Sequence, residues 1–212
     1  MRFDDAVRRL VLLPEPLPAA ASVLLPTIIG GVEGRPPWGP SSGRAGRLAG
    51  VLVLLYPDAS GATRVVLTER SSRDGHHSGE VSFPGGKSEP DDLDIVATAL
   101  REATEEVGLD ADAAGLQVVG LLERFWIPVS DYEVTPVVAV ATRRPELSAA
   151  PAEVARIVEP LMARFMPDAP IEIVERTIGE WSLRYGAYAI DDLSVWGATA
   201  RILSQLGAVL AG

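Results

Sequence analysis

The chain contains no cysteine. Disulfides, thiol catalysis and thiolate metal sites are therefore excluded, and a reducing interior suits the composition without being required by it. Long apolar runs are missing as well. No stretch reaches the roughly eighteen uninterrupted apolar residues of a membrane-spanning helix. The opening MRFDDAVRRLVLLPEP puts Asp4, Asp5, Arg8 and Arg9 before a short apolar run. A signal peptide has a different order, a basic region, then a long apolar core, then small residues. A cytoplasmic protein is expected. Positive charge is scarce too: 19 Lys and Arg stand against 29 Asp and Glu, a formal net charge of −10. That balance argues against nucleic acid and anionic membrane as partners, since both need a basic surface. Histidine is limited to two neighbours, His76 and His77.

What is present is 212 residues, 47% of them apolar, enough to bury a sizeable core. The expected division is an N-terminal arm and linker over 1–45 and one domain over 46–212. Within the arm, 3–13 reads as a short amphipathic helix with Val7, Leu10 and Val11 on one side, ended by Pro14. Residues 14–30 read as either an extended arm or a second short helix, and 31–46 as a Gly/Pro/Ser loop. The arm's apolar residues are expected to cover either the sheet or a neighbouring subunit in a homodimer.

Strands are expected at 49–56, 63–68, 80–83, 116–125, 132–142, 154–158, 171–178 and 187–190. The first two read as a hairpin. A short helix is expected at 161–165 and a long one at 193–210. The pattern predicts an α+β fold, a mixed sheet with helices on its faces, in an α/β/α sandwich.

The chain is organised around Gly85 to Leu109, GGKSEPDDLDIVATALREATEEVGL. Ile95, Val96, Ala99, Leu100, Ala103 and Val107 recur at helical spacing; Asp91, Asp92 and Asp94 lie at the start, where one of them can cap, and Gly108 can end the helix. The other face carries Glu102, Glu105 and Glu106, neighbours at i, i+3 and i+4. A solvated acidic face is the plainer reading of such a triplet taken alone. A hard divalent cation with oxygen ligands is the sharper one. Beside this stretch, Arg70 and Arg73 are suited to bidentate contacts with phosphate oxygens. His77 is a further candidate contact, and a general-base role for either His76 or His77, ranked below a glutamate, is open because histidine as a residue type titrates near neutrality.

The double glycine, Asp92 and Arg101-Glu102-Ala103-Thr104-Glu105-Glu106-Val107-Gly108-Leu109 together resemble the box of the Nudix hydrolases. Two departures stand out: the first acid is Asp92 where the family has glutamate, and eight residues, not seven, separate it from Arg101. The longer gap resembles the coenzyme A pyrophosphatase branch. So does the preceding VLTERSSRDGHHSGEVSFP, in which Leu67, Thr68, Ser71, Gly79, Phe83, Pro84, Gly85 and Gly86 fall in register. Gly75 stands where that branch often has arginine. YEVTPVVAV (132–140) and SVWGATARIL (194–203) resemble later parts of the same family.

The resemblance implies a Nudix fold and a metal-dependent pyrophosphohydrolase using Mg²⁺ or Mn²⁺. Glu102 and Glu106 are its expected primary ligands, with Glu105 a further ligand or the base and Gly86 offering a backbone carbonyl. Arg101 is expected to orient a glutamate, and Glu153, ahead of a Pro-Leu pair, is a second candidate base. Arg70, Ser71, Arg73 and His77 are the expected substrate contacts. The implied substrate is a small nucleotide, coenzyme A, cleaved to 3′,5′-ADP and 4′-phosphopantetheine. Two alternatives stay open. One is a Nudix hydrolase of ADP-ribose, NADH or a nucleoside triphosphate, which Gly75 favours. The other is a non-catalytic ligand-sensing module, which the intact glutamates oppose.

Overall fold

The computed structural model describes residues 1–31, 46–71, 80–127, 130–178 and 181–212. Helix α1 (Phe3–Leu10) is amphipathic, but its buried face is Phe3, Ala6 and Leu10. Val11 falls beyond the helix and is 62% exposed. A single 3₁₀ turn at Ser22–Leu24 buries Leu24, and β1 (Thr27–Gly31) follows. The described part of the expected arm is thus built into the protein: Phe3, Ala6, Leu10 and Leu24 share one core with Leu203, Leu206 and Leu210.

Strand β2 (Arg47–Pro57) is central. A strand covered on both faces reads as a continuous apolar run, and alternation then divides its side chains between two cores. Val53 and Leu55 face the core that holds the N-terminal segment, while Leu52 and Leu54 face the other. The segment TRVVLT does not make one strand. β3 (Thr63–Val65) forms the hairpin with β2, whereas β4 (Leu67–Arg70) leaves for a separate sheet. β5 (Val81–Ser82) pairs with β4, and β6 (Gly85–Lys87) pairs with β2 from Ala49↔Lys87 to Val51↔Gly85.

Helix α2 (Ile95–Val107) lies across β2. Asp94 caps it, accepting from the Ala97 N–H at 2.8 Å, and Gly108 ends it at φ 63° in the left-handed region. Its Ala99, Ala103 and Val107 pack on Leu52 and Leu54. The approach requires glycine at position 50, where a Cβ would sit 2.7 Å from the Ile95 carbonyl oxygen.

After the short α3 (Ala111–Ala114) come β7 (Leu116–Leu121), β8 (Phe125–Ile127) and β9 (Tyr132–Ala141). The expected strand 116–125 is therefore interrupted at 122–124, and Trp126 belongs to a strand. β9 runs parallel to β2 from Arg47↔Tyr132 to Leu55↔Val140, and β7 and β8 pair antiparallel with it. β10 (Val154–Val158) joins β4, completing a sheet of order β10-β4-β5. β11 (Glu172–Ile178), β12 (Trp181–Ile190) and β13 (Leu193–Val195) form the last sheet, with β1 on the free edge of β12. The C-terminal α4 (Gly197–Ala211) starts four residues later than expected, because 193–195 is strand. Trp196 stacks on Tyr185, ring centroids 4.7 Å apart. The result is the expected mixed sheet with helices on its faces. Among the described residues, no helix is long and apolar enough to cross a membrane.

Candidate active site

Two sheets and α2 meet at Gly85–Gly86. Strand β6 brings its glycines against the acidic face of α2, and the closeness explains the residue type. A Cβ on Gly86 would lie 2.6 Å from the Glu102 carboxyl carbon, and one on Gly85 would lie 2.5 Å from the Gly50 carbonyl oxygen. The Gly85 N–H donates to Glu106 Oε2 at 3.1 Å.

Glu106 is 7% exposed. Burial pushes its carboxyl up to about 7; the Gly85 N–H and the charge of Arg70 pull the other way, and Glu102 and Glu153 push further up. Burial likewise raises Glu102, opposed by Arg101 and reinforced by the charges of Glu105 and Glu153. The small β10-β4-β5 sheet supplies those outside residues. Arg70 pairs in register with Val154, next to Glu153, and the Ser71 N–H donates to the Glu153 carbonyl at 2.9 Å.

The other side of α2 is held by Arg101. Its Nη1 donates to Glu102 Oε1 at 3.0 Å and to Glu105 Oε2 at 3.1 Å. Its Nε and Nη2 grip Asp92 at 2.9 and 3.1 Å, and Nη2 also donates to the Lys87 carbonyl at 3.0 Å. These contacts hold the Asp92 carboxyl far below, and the Arg101 guanidinium above, their ordinary values.

Of the expected site residues, Glu102, Glu106, Gly86, Glu153 and Arg70 come together. Glu105 is 58% exposed and turned to Arg101. Ser71, expected at the substrate, is buried, and its hydroxyl donates to the Ala152 carbonyl at 2.9 Å. Together with its N–H on the Glu153 carbonyl, this bond ties Ser71 to the turn that carries Glu153. Arg73, Gly75 and His77 lie outside the described residues. Sequence reasoning passed over Thr98, which is fully buried and donates to Asp92 Oδ2 at 2.8 Å. Its only trace was a hydroxyl inside the apolar stripe of α2.

Among the described residues, no three carboxylates already converge closely enough to cage an ion. The donor set nevertheless fits Mg²⁺ or Mn²⁺. It is all oxygen, and Glu102 and Glu106 are desolvated without full cationic compensation. Such ions keep several waters and take only one or two protein carboxylates, with substrate phosphates completing the shell.

Comparison with known proteins adds the following. A family model described as NUDIX domain matches residues 46–167. Nudix hydrolase 15, mitochondrial, of Arabidopsis thaliana is 38% identical over 167 residues, which cover 76% of this chain and 58% of that protein. Nudix hydrolase NudL of Photorhabdus laumondii is 35% identical over 145 residues, covering 67% of this chain and 74% of that one. The crystal structure of the Nudix hydrolase RenU from M. smegmatis superposes with a TM-score of 0.51 at 20% identity, over 78% of this chain and 86% of that one, a likeness of fold. The chain spans little more than half the length of the plant relatives it matches, 58% and 55%.

Proposed function

The chain belongs to the Nudix hydrolase family, and on that premise we propose that it hydrolyses the diphosphate of coenzyme A or its derivatives in a metal-dependent reaction. The products are 3′,5′-ADP and 4′-phosphopantetheine. One observation carries the catalytic part: two desolvated carboxylates, Glu102 and Glu106, lie within each other's field, with Glu153 and Arg70 beside them. The substrate rests on the motif over 66–86 and the longer gap from Asp92 to Arg101.

Glu102, Glu106 and the Gly86 carbonyl would hold the Mg²⁺ or Mn²⁺. Held there, such an ion would supply charge neutralisation on the diphosphate. The chain's residues do the rest. Arg70 holds a phosphate oxygen and offsets charge that builds up in the transition state. Glu153, exposed at the turn before β10, accepts the proton of the attacking water at its carboxylate. Glu105 is less suited to that task, because its Oε2 already accepts from Arg101. Arg101 fixes the side chain of Glu102 and does not touch substrate.

The test is product analysis by chromatography. Purified protein with Mg²⁺ or Mn²⁺ is incubated with coenzyme A, ADP-ribose, NADH and a nucleoside triphosphate, with Glu106→Gln as control. The expected result is 3′,5′-ADP from coenzyme A, absent in the control. Gly75, standing where the related branch often has arginine, favours a second reading, a different nucleoside diphosphate derivative. Cleavage of ADP-ribose or NADH with coenzyme A untouched would establish that second reading and overturn the first.

A further inference from the structure

We propose that Thr98 is a positioning residue of the carboxylate site, acting through Asp92 and Arg101. The inference rests on the functional reading above only for its kinetic arm. Asp92 is shorter by one methylene than the glutamate of the family pattern, and the stretch to Arg101 is one residue longer. In the turn between Asp92 and α2, Leu93 is 96% exposed. An aspartate in such a turn has a broad terminal torsion. A bidentate grip by a guanidinium, however, requires the carboxylate plane to be fixed.

Three groups fix it. The Glu89 N–H donates to Asp92 Oδ2 at 2.9 Å, and the Thr98 hydroxyl donates to the same oxygen at 2.8 Å. The Arg101 Nε then takes Oδ1 at 2.9 Å. Thr98 sits one helical turn before Arg101, so its hydroxyl meets Asp92 from the same helix that presents the guanidinium. The Thr98 hydroxyl has one proton, and its other acceptor, the Asp94 carbonyl, is farther at 3.3 Å. The charged acceptor at 2.8 Å is the stronger partner. From Arg101 the chain of contacts ends on Glu102 at 3.0 Å and Glu105 at 3.1 Å. Thr98 thus supplies the constraint that the shorter acid and the longer turn would otherwise remove.

Hydroxyl and methyl separate cleanly by substitution. Thr98→Val keeps the buried shape and removes the donor; Thr98→Ser keeps the donor and removes the methyl. Mn²⁺ binding to chelator-treated protein is read from the electron paramagnetic resonance of the free ion, and kcat and KM are measured with the substrate found by product analysis. Thr98→Val is expected to weaken Mn²⁺ binding and lower kcat by about tenfold each, with KM within about twofold. Thr98→Ser is expected to stay near the parent protein in both. Adding Thr98→Val to Asp92→Asn is expected to cost nothing more, since the two act in series. Parent-like Mn²⁺ binding and kcat in Thr98→Val would overturn the proposal. So would equal impairment of Thr98→Val and Thr98→Ser, which would assign the effect to packing. If the parent protein cleaves none of the diphosphates, the functional reading fails, and the Mn²⁺ arm and the Asp92→Asn cycle still decide the role of Thr98.

Discussion

In metal-free protein, Glu106→Gln is expected to raise stability at pH 8 and to leave it nearly unchanged at pH 5. The carboxyl is buried and lifted from 4.5 to about 7. At about 1.4 kcal/mol per pH unit, ionising it in place costs the folded state about 3 kcal/mol relative to the unfolded chain. The sign follows from the direction. A raised value means that the folded state holds the proton more tightly, so this contribution to stability is fully present below 4.5. It fades as pH rises through about 7. Glutamine carries no charge and keeps an acceptor for the Gly85 N–H, so the variant escapes the loss.

The assay is urea unfolding in the presence of a chelator at pH 5, 6, 7 and 8. The stability gap between the two proteins should open with pH to about 3 kcal/mol, or roughly 6–12 °C in Tm for a chain of this size. Saturating Mn²⁺ should restore the parent protein at pH 8 and do much less for the variant, because a ligand that binds only the folded state stabilises it. A gap that stays constant from pH 5 to 8 would refute the reasoning, since the carboxyl would then titrate alike in both states.

Gly86→Ala should weaken Mn²⁺ binding and activity by at least about tenfold, because its Cβ meets the Glu102 carboxyl carbon at 2.6 Å and the side chain must move; calorimetric titration of Mn²⁺ checks it. Glu153→Gln should lower kcat by about 10²–10⁴ as expected for a lost general base, with Mn²⁺ affinity within a few-fold, read by steady-state kinetics and the same titration. Gly207→Ala should cost about 3 kcal/mol or more, since a Cβ there falls 2.0 Å from the Phe165 backbone oxygen, and thermal unfolding reports it. A chain starting at residue 46 should not fold cooperatively: Phe3, Leu10 and Leu24 each contribute about 1.5–3 kcal/mol by burial, a sum comparable with a domain's whole stability. Circular dichroism on heating decides that point.

Local pattern made much of this legible. The run through β2 announced a strand covered on both sides, and the spacing of Glu102, Glu105 and Glu106 announced one helix face. What could not be read was partnership. TRVVLT is uniformly suited to a strand, yet it divides at Val66 between two sheets, because propensity does not say which neighbour a strand takes. The nearness of Glu153 to Glu102 and Glu106 depends on the pairing of β4 with β10, a contact between distant parts of the chain. In α1, the sequence pointed to a stripe through Val7, Leu10 and Val11, whereas the buried one runs through Phe3, Ala6 and Leu10. The packing on α4 chose the latter, since a small alanine allows two helices to approach. Thr98 was hidden for a similar reason: in sequence it interrupts an apolar stripe, and only the turn bearing Asp92 supplies its acceptor.

The site also shows why a chain with a net charge of −10 can act on an anion. Asp92, Glu102, Glu105, Glu106 and Glu153 bring five carboxylates to one region, against Arg70 and Arg101. Arg101 is shared among Asp92, Glu102 and Glu105, at 2.9, 3.0 and 3.1 Å, while Glu106, with Glu153 near it, feels the charge of Arg70. A diphosphate approaching that group alone would meet repulsion. Fully neutralised carboxylates, on the other hand, would have nothing to offer a cation. The arrangement avoids both limits by having Arg101, itself gripped by Asp92, hold Glu102 and Glu105 directly, and by keeping Glu102 and Glu106 desolvated and incompletely compensated. The destabilisation this causes is borne by the apolar face of α2, where Ala99, Ala103 and Val107 lie fully buried on β2. Stability and chemistry are thus assigned to opposite faces of one thirteen-residue helix, and the residues that connect the two, Thr98 and Arg101, are one turn apart.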